Sequence, residues 1–242
     1  MLTLTIDGRD VQAEEGKVIL EVARDNGIYI PALCYHEEVA PYGACRLCMV
    51  EITRRGRRRL VASCLYPVEE GLVVETNTER VVNDRRTIME LLLARCPDLA
   101  AVQDLASKLG VDKTPFRLED KKCILCGLCV RACEEVVGVS AISLVNRGTN
   151  RQVASPFYEA PDACIGCGSC AYICPVDAIG LEDIGDTRTI TMPNPRMQKI
   201  EFKLKKCSKC GKYWAPEKQL DYIAKKAGLA PEEFDICPDC RD

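Results

Sequence analysis

The chain has 242 residues, 47% of them hydrophobic and 5% aromatic, with 33 basic against 36 acidic side chains for a formal charge of −3. That length suits two or three compact modules rather than one small domain. No apolar run approaches the ~20 residues that a membrane helix needs, and the N-terminal MLTLTIDGRD has no apolar signal stretch, so a cytoplasmic chain without direct membrane insertion is expected.

In chain order the elements read as an α+β protein built of modules. Residues 1–80 open with LTLTIDGRDVQAEEG, a hairpin turning at Asp7-Gly8. KVILEVARDNG follows as a short helix closed by Asn26-Gly27, and VEITRRGRRRLVAS as a second hairpin turning at Gly56. Strand, strand, helix and further strands is the order of a β-grasp domain. Residues 81–119 carry Ile88, Leu91 and Leu92, then Leu99, Val102, Leu105 and Leu109, at helical spacing. Pro97 divides this connector into two helices, with Asp98 as the expected N-cap of the second and Gly110 as its end.

Residues 120–182 hold an internal repeat, KKCILCGLCVRAC against DACIGCGSCAYIC, with AISLVNRGTNRQVASPF between the halves as an inserted hairpin. Residues 183–206 read as a linker or extended arm. Residues 207–242 form a last module with a cysteine pair at each end and a helix, PEKQLDYIAKKAG, between them.

The abnormal number is 17 cysteines. They fall in repeated Cys-x-x-Cys groups, the pattern of metal ligands in a reducing compartment rather than of a secreted disulfide scaffold. Cys34, Cys45, Cys48 and Cys64 are spaced C-x10-C-x2-C-x15-C. A [2Fe–2S] cluster needs two thiolates on each iron, three from a tight loop and one from a distant strand. YGACRLCMV is that loop, and small Gly43 and Ala44 leave room for backbone amides near the sulfur. The first gap is longer than in the plant-type spacing.

Cys123, Cys126, Cys129, Cys133 and Cys164, Cys167, Cys170, Cys174 each read C-x2-C-x2-C-x3-C. This is the bacterial two-cluster ferredoxin run, in which the fourth cysteine of each run serves the other cluster. Cys123, Cys126, Cys129 and Cys174 are therefore assigned to one [4Fe–4S] centre, and Cys164, Cys167, Cys170 and Cys133 to the other. Pro175 follows Cys174 as the motif expects, whereas Glu134 replaces proline after Cys133.

Cys207, Cys210, Cys237 and Cys240, in CSKCG and CPDC, face each other as two knuckles of a tetrahedral S4 site. Structural zinc is the first reading, with a single rubredoxin-like iron or a further cluster as alternatives. Cys96 is left over, a bland thiol beside a helix end. His36, the sole histidine, reads as a surface or supporting residue because four thiolates are already at hand. RRGRRR at 54–59 reads first as a solvated hairpin tip and second as a docking patch for an acidic redox partner. Each cluster or zinc site with four thiolates carries about −2, which takes the chain toward about −11 and argues against nucleic acid as a partner.

At residues 1–182 the chain resembles the iron–sulfur (diaphorase) subunit of NAD-linked bidirectional and electron-bifurcating hydrogenases. It is also similar to the N-terminal part of the large iron–sulfur subunit of respiratory complex I. IPALCYHEEVAPYGACRLCMVEI, the ASC containing Cys64, EGLVVETNTERV, KKCILCGLCVRACEE and DACIGCGSCAYICPVDAI carry the likeness. It departs where the family often binds a further [4Fe–4S] cluster through one histidine and three cysteines: CPDLAAVQDLASKLGV offers only Cys96. The C-terminal knuckle is also not general to the family.

The resemblance implies a non-catalytic relay between a flavin/NAD(P)H-binding subunit, a small [2Fe–2S] thioredoxin-like subunit, and a hydrogenase or formate dehydrogenase catalytic subunit. The alternative is the iron–sulfur subunit of a succinate/fumarate-type oxidoreductase, which the inserted hairpin and the knuckle fit badly. An iron-only hydrogenase would need a catalytic domain after the two-cluster unit, and 36 residues follow Lys206.

Overall fold

The computed structural model describes residues 1–118 and 121–241, with the side chain of Gln198 left aside. The expected boundary between connector and repeat, at 119/120, lies outside the described residues. The chain forms two compact units, divided between Gly127 and Leu128.

The first unit begins with β1 (Leu2–Ile6) and β2 (Arg9–Ala13), an antiparallel pair that buries Leu4, Ile6, Val11 and Ala13. Asp7 (φ 49) and Gly8 (φ 77) turn it, the left-handed pair that a two-residue hairpin of this twist requires. α1 (Ile19–Asp25) buries Ile19, Leu20, Val22 and Ala23. Its start is fixed by Glu21, whose carboxylate accepts the Val18 N–H at 3.0 Å and the Tyr35 hydroxyl at 2.6 Å. One side chain thus caps the helix and anchors the residue after Cys34.

β3 (Met49–Arg54) and β4 (Arg57–Ala62) make the second hairpin, turned at Arg55 and Gly56. β5 (Val73–Glu75) runs parallel to β1 and antiparallel to β3. The resulting five-stranded mixed sheet has the order β2-β1-β5-β3-β4. α1 and one face of this sheet share one aliphatic core that includes Cys48 and Cys64.

α2 (Glu79–Arg95) is capped by Thr78, whose hydroxyl accepts the Val81 N–H at 3.3 Å. Buried Arg85 donates to the Met49 carbonyl at 2.6 Å, tying α2 to the strand after Cys48. α3 (Ala100–Lys108) is capped at Leu99, not at Asp98. The helix begins one residue later than expected because Leu99 is still extended (φ −82, ψ 116); its carbonyl then accepts from Val102 and Gln103. Gly110 (φ 67) ends the helix, and Arg86 donates to its carbonyl at 3.0 Å.

The second unit starts with α4 (Leu128–Arg131), which widens into a π-turn over Ala132–Val136. β6 (Ser143–Val145) and β7 (Gln152–Ala154) form the expected inserted hairpin. α5 (Ser169–Tyr172) lies within the second cysteine run.

Residues 183–206, read from the sequence as a linker or extended arm, are mostly strand. β8 (Gly180–Ile184), β9 (Thr187–Asn194), β10 (Met197–Lys206) and β11 (Tyr213–Pro216) form a four-stranded antiparallel sheet, ordered β11-β10-β9-β8. Ile190 and Met192 on β9, and Ile200 and Leu204 on β10, alternate with polar residues and are buried on one face. α6 (Glu217–Ala227), stopped by left-handed Gly228, packs Leu220 and Ala224 against Ala215 and Phe234. No described helix is long and apolar enough to cross a membrane.

Candidate metal centres

Cys34, Cys45, Cys48 and Cys64 are brought together at one end of the β3–β4 hairpin, all buried. The sulfurs group in twos. Cys45 hydrogen-bonds Cys34 through its thiol and also donates its N–H to the Cys34 Sγ at 3.4 Å. Cys64 donates its thiol to Cys48, which with the Cys64 and Ser63 groups pulls Cys48 down to about 6. The partner thiol and burial push Cys45 and Cys64 up. Gly43 (φ +66) sits against Leu65, whose Cδ1 would lie 2.5 Å from an added Cβ. His36 Nδ1 accepts the Glu38 N–H at 3.2 Å, so that nitrogen is engaged locally.

In the repeat, Cys133, Cys164, Cys167 and Cys170 line one pocket. Its other walls include Val137, Val139, Ile142, Ile165, Ile190, Met192 and Ile200. The Ala141 N–H points at the Cys133 Sγ, 3.2 Å away. Burial raises the Cys133 and Cys164 thiols and takes Cys170 up to about 12. Four cysteines lining one apolar-walled pocket suit a metal cluster, which neutralises thiolate charge that this pocket otherwise penalises.

Of the remaining set, Cys123 and Cys126 belong to the first unit and Cys129 and Cys174 to the second. Cys123 Sγ accepts the Leu125 N–H at 3.4 Å, and its carbonyl accepts from Arg95 at 2.9 Å. Cys174 Sγ accepts the Ala178 N–H at 3.2 Å.

The sulfurs of Cys207, Cys210, Cys237 and Cys240 all lie within 4.8 Å of one another, with Cys210 and Cys237 3.8 Å apart. A tetrahedral ion with bonds of about 2.3 Å requires edges of about 3.8 Å, whereas a disulfide would bring sulfurs to about 2 Å. N–H groups of Cys237, Cys210 and Lys209 lower Cys207 to about 6. Cys207 follows directly on β10, and its N–H bonds the Lys212 carbonyl at 2.8 Å, closing the first knuckle.

Cys96 is buried at the C-cap of α2. In the arginine run, Arg54 pairs with Glu69 at 2.8 Å and Arg58 with Glu75 at 3.3 Å, while Arg55, Arg57 and Arg59 are exposed at the tip. Sequence reasoning missed the residues that surround the ligands: Leu65 over Gly43, Glu21 under Tyr35, and the β9–β10 face over the Cys164 run. Only the last left a signal, the period-2 alternation of Ile190, Met192, Ile200 and Leu204.

Fold and sites together define an iron–sulfur protein. A model of a 2Fe-2S iron-sulfur cluster binding domain matches residues 1–79, and models of 4Fe-4S dicluster domains match 122–178 and 156–213. The NADP-reducing hydrogenase subunit HndD of Solidesulfovibrio fructosivorans is 36% identical over 211 residues, covering 74% of this chain and 36% of that protein. The NADPH-Fe(3+) oxidoreductase subunit alpha of Geobacter sulfurreducens is 35% identical over 204 residues, 74% of this chain and 24% of that protein. The mitochondrial NADH-ubiquinone oxidoreductase 78 kDa subunit of Neurospora crassa is 32% identical over 203 residues, 73% of this chain and 27% of that protein. A solved structure of an NAD+-reducing [NiFe]-hydrogenase in the H2-reduced state is similar at 32% identity and TM-score 0.57, covering 64% of this chain and 74% of that one. The chain spans about a quarter to a third of the length of these curated relatives. It belongs to the iron–sulfur subunit family of NAD(P)-linked hydrogenases and complex I.

Proposed function

We propose that this chain is an electron-relay subunit carrying one [2Fe–2S] and two [4Fe–4S] clusters. The observation that carries the reading is the convergence of Cys133 with Cys164, Cys167 and Cys170 on one apolar pocket, the crossed pairing a two-cluster ferredoxin uses. The clusters supply one-electron carriage between partner subunits.

The protein's own residues set where those electrons stop. In the first unit, a β-grasp reading fits the five-stranded mixed sheet with α1 across it. Its paired thiols suggest that Cys34 and Cys45 hold one iron and Cys48 and Cys64 the other. Cys123, Cys126, Cys129 and Cys174 complete the second [4Fe–4S] set.

The four-sulfur knuckle fits zinc, whose tetrahedral edge matches the Cys210–Cys237 separation; its role is to close the C-terminal module. The relatives' names support partners within a multi-subunit NAD(P)-linked oxidoreductase; a flavin/NAD(P)H-binding subunit, a small thioredoxin-like [2Fe–2S] subunit and a hydrogenase or formate dehydrogenase catalytic subunit are the partners the family resemblance implies.

Metal and sulfide analysis of the anaerobically purified chain tests the reading. It expects about 10 iron, about 10 labile sulfide and about 1 zinc per chain. About 11 iron without zinc would make the knuckle a mononuclear iron site, and zinc with little iron would sink the relay.

A further inference from the structure

The segment 180–204 does more than connect two cysteine modules. β9 and β10 turn Ile190, Met192 and Ile200 into the same pocket as Cys133, Cys164, Cys167 and Cys170. The contact is close at two glycines of the cysteine loop. An added Cβ at Gly166 (φ +73) would lie 2.6 Å from Phe202 Cγ, and one at Gly168 (φ +79) would lie 3.0 Å from Leu181 Cδ2. Arg188 on β9 donates to the Gly166 carbonyl at 3.3 Å and forms a two-pronged pair with Asp183 on β8, both arms 2.7 Å. The sheet is therefore fastened to the loop between Cys164 and Cys167 by both an aromatic lid and a charged strut.

Such a roof has an electrostatic consequence. Four thiolates and an oxidised [4Fe–4S] core sum to about −2, and one added electron takes the total to about −3. Low dielectric disfavours the more highly charged state, so removing water lowers the potential. N–H groups aimed at the sulfurs act in the opposite sense, and Ala141 provides one at Cys133. The pocket walls that β9 and β10 contribute, Ile190, Met192 and Ile200, are hydrocarbon or thioether and bring no N–H or O–H donor from their side chains.

We propose that the β8–β10 sheet is a potential-setting roof, in which Met192, Ile200 and Phe202 are positioning residues that hold the cluster of Cys133, Cys164, Cys167 and Cys170 at a lower potential than its ligands alone would give. This rests on the cluster assignment above. The roof has a second effect, since it shields the same centre from oxygen.

EPR-monitored redox titration of the full-length holo chain, with solvent-deuterium couplings recorded on the reduced centres, tests the proposal. Met192→Gln places an amide where a thioether stands, and Phe202→Ala opens the cover over Gly166. Both are expected to raise the potential of one [4Fe–4S] signal, to add deuterium coupling to it, and to speed its bleaching in air several-fold. The second [4Fe–4S] and the [2Fe–2S] signals should not move. Met192→Leu and Phe202→Leu, which keep the roof apolar, should stay at the parent potential.

Unchanged potentials in Met192→Gln and Phe202→Ala, at full iron content, would overturn the roof while leaving the relay intact. Absence of two [4Fe–4S] signals in the parent chain would overturn the cluster assignment, and the roof with it.

Discussion

Gly43 shows how narrowly single positions are set. A side chain there faces both a left-handed backbone and Leu65 Cδ1 at 2.5 Å. Gly43→Ala is expected to cost about 1–3 kcal/mol and to lower [2Fe–2S] content before either [4Fe–4S] centre is affected, as visible absorbance and EPR would report. Among the ligands, Cys170→Ser should remove about four iron and one EPR signal, while Cys48→Ser should remove about two. Asp183 gives a pH-dependent case: its pair with Arg188 holds the carboxyl below the ordinary carboxylate range. A depressed acid contributes stability that is present above the unfolded-state pKa of about 4 and is lost as pH falls through the folded value. Because Asp183 is 39% exposed, solvent screening limits the effect to about 0.5 kcal/mol. Asp183→Asn should therefore lower thermal stability slightly at pH 7, and the difference should fade as pH drops below about 4.

At the scale of elements, Glu21 joins a helix start to a ligand loop. Glu21→Ala removes the acceptor for both the Val18 N–H and the Tyr35 hydroxyl. A loss of about 1–2 kcal/mol in denaturant unfolding, at unchanged m, is expected. Both N-terminal hairpins are legible because Asp7-Gly8 and Arg55-Gly56 sit between alternating runs and supply the left-handed φ values that such turns demand. β9 and β10 are not, although Ile190, Met192, Ile200 and Leu204 alternate just as clearly. Pro193, Pro195 and the lysines of β10 mask the pattern, and the pairing that makes strands of it is non-local, set by register with β8 and β11. Asp98 fails as a cap for a related reason: capping depends on where the chain stops being extended, and that is decided at Leu99.

For the whole molecule, ligand spacing carries most of the reading, since cluster geometry dictates which thiolates must converge whatever the surrounding fold. What spacing does not encode is the environment of the sulfurs: the paired thiols of the first set, the apolar walls of the second, and the sheet across it. The knuckle module should behave independently of the five-stranded sheet. Removing its metal with a chelator is expected to abolish hydrogen-exchange protection in α6 while the five-stranded sheet keeps its own, because α6 has only a small apolar contact set of its own. The relay itself is tested most directly by counting electrons. Anaerobic reduction of the holo chain with photoreduced deazaflavin, followed by absorbance and EPR, should consume about three electrons per chain, one for each cluster, with reversible recovery on oxidation. Uptake of no electrons by a chain that retains its metal would contradict the account.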